Sequence, residues 1–203
     1  METVAYCLAL ITLMTVPATL MAWLLLHLFV VWWRRIGPVA TYTVIGAAVL
    51  AVMLTMYLVR DPLLKIRFGV RIPLVATSIL LLGISGYINV LVYKQVPKSM
   101  VFGLSEISTK NPGELITDGV YSRIRHPRFV AMALAVAAIS IFTNVLAIYV
   151  LAIVYLPIIL FIAVLEEKEL SARFGVRYEE YIREVPRFSP CTSYNNTCRK
   201  GAT

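Results

Sequence analysis

From Phe129 to Leu165 the chain runs for 37 residues without a charged side chain. As a single helix, at about 1.5 Å per residue, that run would reach ~55 Å, against a bilayer core of ~30 Å. It must therefore fold back within the membrane. Asn144 is its only strongly polar side chain, and because Asn competes for backbone hydrogen bonds and favours turns, the reversal is placed at Thr143-Asn144. Both ends of such a hairpin return to one side. The cluster before it, Arg125-His126-Pro127, is thus expected to meet the cluster after it, Glu166-Glu167-Lys168-Glu169. The first leg, Phe129 to Phe142, reaches only ~21 Å, which sets Arg125, His126 and Pro127 at headgroup depth.

The rest of the chain fits a membrane protein. It is 60% hydrophobic with a mean hydropathy of +0.81, and its apolar runs are too long for a soluble core. Val4 to Trp33, Val39 to Val59 and Ile72 to Tyr93 are further uncharged stretches, each long enough to cross a bilayer. The first contains Pro17, where tilt or a kink is expected. With no basic segment before it, it reads as a retained span rather than a signal peptide. Trp32-Trp33-Arg34-Arg35 closes it as an interfacial anchor. Gly46-Ala47-Ala48 and Gly83-x-x-Gly86 place small residues where helices can pack closely in lipid. The expectation is an all-α membrane protein of about five transmembrane helices, the last two a helical hairpin.

A net charge of +8 raises the question of nucleic acid, but the cations sit beside membrane spans, where they set orientation and meet anionic lipid. With the amino terminus outside and the carboxy terminus cytosolic, 15 of the 19 Lys and Arg fall on the inner side. Arg60, Lys65, Arg67 and Arg71 dissent. Both polar clusters then face the cytosol. Cys7, Cys191 and Cys198 form no disulfide framework and no zinc signature, and no metal site is expected. Asn195-Asn196-Thr197 matches a glycosylation acceptor pattern, but on a cytosolic tail it is read as chance. Tyr93 to Asp118 reads as a connector on the membrane surface, and residues 191–203 as a disordered tail. Residues 1–190 form one domain, with three spans in 1–94 and a ligand-binding region in 95–190.

Arg125-His126-Pro127 joins a charge, a titratable ring and a helix-starting proline, though an interfacial Arg and a Pro serve any membrane helix. Three carboxylates at a helix C-terminus run against its dipole; either continuation into a cytosolic helix or a cationic ligand offsets that. Gly119-Val120-Tyr121 follows a Thr117-Asp118 turn signal. His27 stands alone in a span and is given no role.

Gly119-x-Tyr121-x-x-x-Arg125-His126-Pro127, the apolar hairpin, Glu166-Glu167, Phe174-Gly175-x-x-Tyr178-x-x-Tyr181 and Pro186-Arg187-x-x-Pro190 together resemble the isoprenylcysteine carboxyl methyltransferase and phospholipid methyltransferase superfamily. The likeness covers roughly Gly113 to Pro190. It implies S-adenosylmethionine bound in a cytosolic pocket and a lipid-like methyl acceptor arriving from the bilayer. By position it implies that Leu115 and Ile116 contact the adenine or ribose and that Tyr121 lines the cofactor. His126, Pro127 and Phe129 would pack on its methionine part, and Glu166 and Glu167 would bind its polar groups. Catalytic residues are not identified, with Arg125 and Glu167 as candidates. Isoprenylcysteine enzymes carry an Arg one turn before the Glu pair, where Ile162 stands here. That exchange argues against a prenylcysteine carboxylate and for an amine, thiol or other neutral nucleophile on an amphiphile. The alternatives are a membrane reductase related to the sterol reductases, using a reduced nicotinamide, and a non-catalytic lipid-binding member of the fold.

Overall fold

The computed structural model describes residues 1–97, 100, 103, 107 and 113–189. Much of the connector read over Tyr93–Asp118, and the tail beyond Ser189 with Cys191, Cys198 and the Asn195 motif, lie outside the described residues. Among these residues every regular element is helical: α1 (Glu2–Leu28), α2 (Val30–Ile36), α3 (Pro38–Leu58), α4 (Arg60–Leu63), α5 (Ile72–Gln95), α6 (Pro127–Thr143), α7 (Leu146–Phe174) and α8 (Val176–Glu184). Four of them, α1, α3, α5 and α7, are long and apolar enough to cross a membrane. The fifth expected span, α6, has 17 residues and a length of ~26 Å, a little short of the hydrocarbon core.

The hairpin turns at the expected place. Asn144 takes the left-handed conformation, φ 51° and ψ 46°, which costs a residue with a Cβ free energy that Asn bears better than most. Its side chain repays the strain by donating to the Gly69 carbonyl at 2.7 Å and accepting from the Tyr149 hydroxyl at 3.1 Å. The backbone there pairs with the loop after α4: Phe68 N–H donates to Asn144 O at 2.9 Å and Leu146 N–H to Ile66 O at 3.1 Å. Glu2 accepts from Val70 N–H at 3.0 Å. The amino terminus, the α4–α5 loop and the hairpin turn therefore share one end of the bundle. Two of the dissenting cations are used within that end: Arg60 and Arg67 bond the Tyr57 and Leu64 carbonyls and lie over the rings of Tyr57 and Tyr6.

At the other end, α7 continues past the bilayer core. Its 29 residues reach ~44 Å, so Glu166 to Phe174 belongs to a polar extension until Gly175, at φ 56°, breaks it from α8. Pro17 stands inside a continuous α1, which ends at Leu28.

Helix α6 packs against α5, α7 and α1, and α1 also holds α3. The core beneath the polar end is Leu20 from α1, Phe129 and Val136 from α6, and Tyr155, Ile159, Ile162 and Ala163 from α7. In lipid, close packing and interhelical hydrogen bonds hold such helices; the Ser85 hydroxyl of α5 donates to the Ala131 carbonyl of α6 at 2.8 Å. The expected glycine contacts do not form. A Cβ at Gly46, Gly83 or Gly86 meets nothing within 4 Å; on α5 it is buried Ser85 that approaches Ala131 of α6, while Gly83 and Gly86 are exposed.

Asn144→Ala is expected to lower stability by about 1–3 kcal/mol, through a lost hydrogen-bond pair and left-handed strain. Asn144→Gly should recover only the backbone part. Thermal unfolding in detergent reads both, and an unchanged midpoint for the Ala variant would remove the turn from the fold's supports.

Candidate functional site

Gly119 opens the site with a left-handed turn, φ 57°, and has no Cβ where the Gln95 carboxamide lies against it. Gln95 accepts from Val120 N–H at 3.2 Å, tying the turn to the end of α5. The residues Gly119–Ser122 form one 3-10 turn. The Tyr181 hydroxyl of α8 donates to Tyr121 O at 2.6 Å. Arg125 and His126 then run alongside the segment after α8, their N–H groups donating to Pro186 O at 3.0 Å and Arg187 O at 3.1 Å. Pro127 starts α6 directly after His126; it has no N–H to leave unpaired and its φ suits a first helical turn.

Glu166 and Glu167 are consecutive on α7, so they point about 100° apart. They flank His126. Its Nε2 lies 3.0 Å from Glu167 Oε1, and its Nδ1 3.6 Å from Glu166 Oε2. Glu167 is also forked by Arg187, Nε at 2.8 Å and Nη2 at 2.5 Å, and approached by Arg125 Nη1 at 3.0 Å. Phe129 stacks on the His126 ring at 5.2 Å with a 2° interplanar angle, and Phe188 leans on it at 5.8 Å. Burial disfavours the charged ring, yet hydrogen bonds and charge from Glu166 and Glu167 outweigh it and hold the His126 pKa above its ordinary 6.5. Tyr121 is pushed up to about 12, chiefly by burial and then by the Glu166 charge, so its hydroxyl stays protonated.

These elements line a cavity that is open at its mouth. Leu115, Ile116, Tyr121, His126, Phe129 and Glu166 line it. Arg125 lines it too. Pro127 is fully buried behind the wall, and Glu167 is turned to Arg187 and His126 instead of into the cavity. The structure also brings in residues the sequence did not single out for the site. Trp23 of α1 and Val92 of α5 supply its membrane-side wall, with the Arg128 guanidinium 4.7 Å over the Trp23 ring. His27 stacks on Trp23 at 5.6 Å and lies 3.6 Å from Glu169, which also holds Arg34 at 2.7 Å and Arg173 at 2.9 Å. The sequence signal for this second knot was the i, i+4 spacing of Trp23 and His27, too common in apolar helices to point anywhere.

A family model described as phospholipid methyltransferase matches residues 74–177, just over half of the chain. The chain belongs to that family. No curated protein and no solved structure matches it significantly. The phospholipid methyltransferase segment contains nearly all of α5, the hairpin, Arg125, His126, Glu166 and Glu167, and most of the cavity lining. Trp23, His27, Arg187 and Phe188 lie outside it.

Because the folded pKa of His126 stands above 6.5, the knot's ionic contribution is complete below ~pH 6.5 and is lost as pH rises through the folded value. The unfolding midpoint should therefore fall as pH rises above about 6.5, and fall less in His126→Gln. Parallel pH profiles for the two proteins would contradict this. Glu167→Gln takes the carboxylate away from Arg125 and Arg187 and leaves His126 only Glu166; it should destabilise the fold by about 3 kcal/mol, read as a lower midpoint in the same assay.

Proposed function

We propose that this membrane methyltransferase moves a methyl group from S-adenosylmethionine to a nucleophile on a lipid-like amphiphile at the cytosolic membrane surface. The observation that carries the reading is the convergence of Leu115, Ile116, Tyr121, His126, Phe129 and Glu166, from the connector, α6 and α7, on one cavity. Its donor set fits the cofactor chemically. Glu166 offers a carboxylate for an ammonium or ribose hydroxyls, and Phe129, Leu115 and Ile116 offer apolar faces. When bound, S-adenosylmethionine supplies an electrophilic methyl on a sulfonium.

Transfer from a sulfonium is an in-line displacement that removes positive charge, so the protein's task is to orient the partners and exclude water. The chain's residues suit that task. His126, between two carboxylates and two aromatic rings, is a fixed wall that holds its proton. Tyr121 keeps its hydroxyl hydrogen and serves as a donor. Trp23 and Val92 close the membrane side, where the acceptor's apolar part would lie. Ile162 is fully buried in the apolar core, packed with Phe129 and Tyr155. It offers nothing to an acceptor carboxylate, which favours an amine, thiol or other neutral nucleophile. The inner-side excess of Lys and Arg supports a cytosolic cavity and an outer amino terminus.

Calorimetry on the detergent-purified protein should show micromolar binding of S-adenosylmethionine. Glu166→Gln should weaken it at least tenfold, about 1.4 kcal/mol or more, with little change in unfolding midpoint. Binding of reduced nicotinamide adenine dinucleotide phosphate instead would replace this reading with a reductase. Binding of neither would leave a non-catalytic lipid-binding protein.

A further inference from the structure

The third carboxylate of the Glu166-Glu167-Lys168-Glu169 cluster has no part in the site described so far. On α7, Glu167 stands about 100° to one side of Glu166 and Glu169 about 60° to the other. Glu167 meets the start of α6 and the segment after α8; Glu169 meets α1 and α2. The Glu169 Oε1 accepts from Arg34 Nη2 at 2.7 Å and from Arg173 Nη1, one turn on, at 2.9 Å. Two guanidiniums therefore answer its charge. Its Oε2 accepts no hydrogen bond, although the side chain is only 6% exposed, and the group facing it is His27 Nδ1 at 3.6 Å. A buried carboxylate oxygen in that state favours a nearby N–H and holds the imidazole toward it.

The imidazole passes that hold on. The His27 side chain is fully buried and lies behind the cavity wall. Side chains on a helix lean back over the preceding turn, so His27 lies on Trp23, four residues earlier, with the rings 5.6 Å apart and 16° from parallel. Trp23 lines the cavity. The end of α1 that carries both residues is braced by α2, whose Trp33 indole donates to Leu25 O at 2.8 Å and packs with Leu26 and Ile45. Arg34 and Arg173 thus fix Glu169, Glu169 faces His27, and His27 stacks on Trp23. A large ring held this way before a ligand arrives loses little rotamer freedom on binding. Trp23, His27 and Arg34 all lie outside residues 74–177, the part matched by the family model.

We propose that Glu169 and His27 are positioning residues: Glu169 holds the His27 ring, and His27 holds Trp23 in place as the wall that the apolar chain of a bound amphiphile meets. That such an amphiphile is the methyl acceptor rests on the methyltransferase reading; the relay to Trp23 does not.

Trp23 emission reads the relay without any ligand. In the full chain in uncharged detergent, each protein is compared with its own Trp23→Phe counterpart, and the difference isolates Trp23. Acrylamide quenching of that difference should rise about twofold or more in His27→Ala, as the ring gains freedom. Glu169→Gln should raise it less, and His27→Phe, which keeps a ring to stack, should recover part of the shielding. Calorimetry then compares decylamine, an amphiphile with an amine nucleophile, with S-adenosylhomocysteine. His27→Ala should weaken decylamine about tenfold and leave S-adenosylhomocysteine unchanged; a residue that only supported the fold would weaken both or neither. Unchanged Trp23 quenching in His27→Ala overturns the proposal, as does equal weakening of both ligands or of neither. His27→Ala decides the matter even where Glu169→Gln does not fold, because Glu169 keeps both guanidiniums. If the wild type binds decylamine without S-adenosylhomocysteine and both His27 effects hold, the positioning pair stands and the methyltransferase reading falls. Glu166-dependent binding of S-adenosylhomocysteine without decylamine does the reverse. If the wild type binds neither, both are wrong.

Discussion

The Glu167 carboxylate is the point on which the polar end depends. It is 7% exposed, near the end of a membrane helix, where an unanswered charge would be costly. Three cationic groups answer it from two different parts of the chain: Arg125 and His126 before the hairpin, and Arg187 after α8. One side chain thereby draws the entry to α6, the exit of α7 and the segment after α8 into one knot. The backbone pairing of Arg125 and His126 with Pro186 and Arg187 follows that knot and fixes the direction of the His126 ring. Glu166, one residue away and about 100° around the helix, is left facing the cavity. Two adjacent carboxylates thus divide the work, one holding the wall and one available to a ligand.

What the sequence made legible was what depends on length and covalent order. An uncharged run too long for one crossing forces a hairpin, and a single Asn in it marks the reversal, where the structure has φ 51°. The meeting of Arg125-His126-Pro127 with Glu166-Glu167 follows from the hairpin alone. The division between Glu166 and Glu167 was not legible, because it turns on the rotation of α7 against α6 and on Arg187, which is remote in sequence. Trp23 and His27 were hidden for a related reason. In a helix apolar on every side, no periodicity says which face meets the protein and which meets lipid. The same ambiguity misassigned Gly83 and Gly86, whose small size suited an interface that Ser85 and Ala131 make instead.

The packing also separates two surfaces with different partners. Helices α3 and α5 are only 11% and 17% buried over their apolar windows, which suits lipid on most sides. Helix α6 has no fully exposed residue; it is the axis on which α1, α5 and α7 are assembled, and its N-terminus is the wall of the cavity. A ligand in that cavity therefore sits where the helices converge, with apolar Val92 and Trp23 on one side and the charged knot on the other. Under the proposed function, that placement is what would join a water-soluble methyl donor to an acceptor that stays in the bilayer.

The central claim is that this cavity is where S-adenosylmethionine binds. Its most direct test is ultraviolet crosslinking of isotope-labelled S-adenosylmethionine to the purified protein, followed by mass-spectrometric mapping of the labelled peptides. The account predicts label within residues 113–129 or 166–181, displaced by excess S-adenosylhomocysteine and absent in Glu166→Gln. Displaceable label confined to other parts of the chain, or no displaceable label, would contradict it.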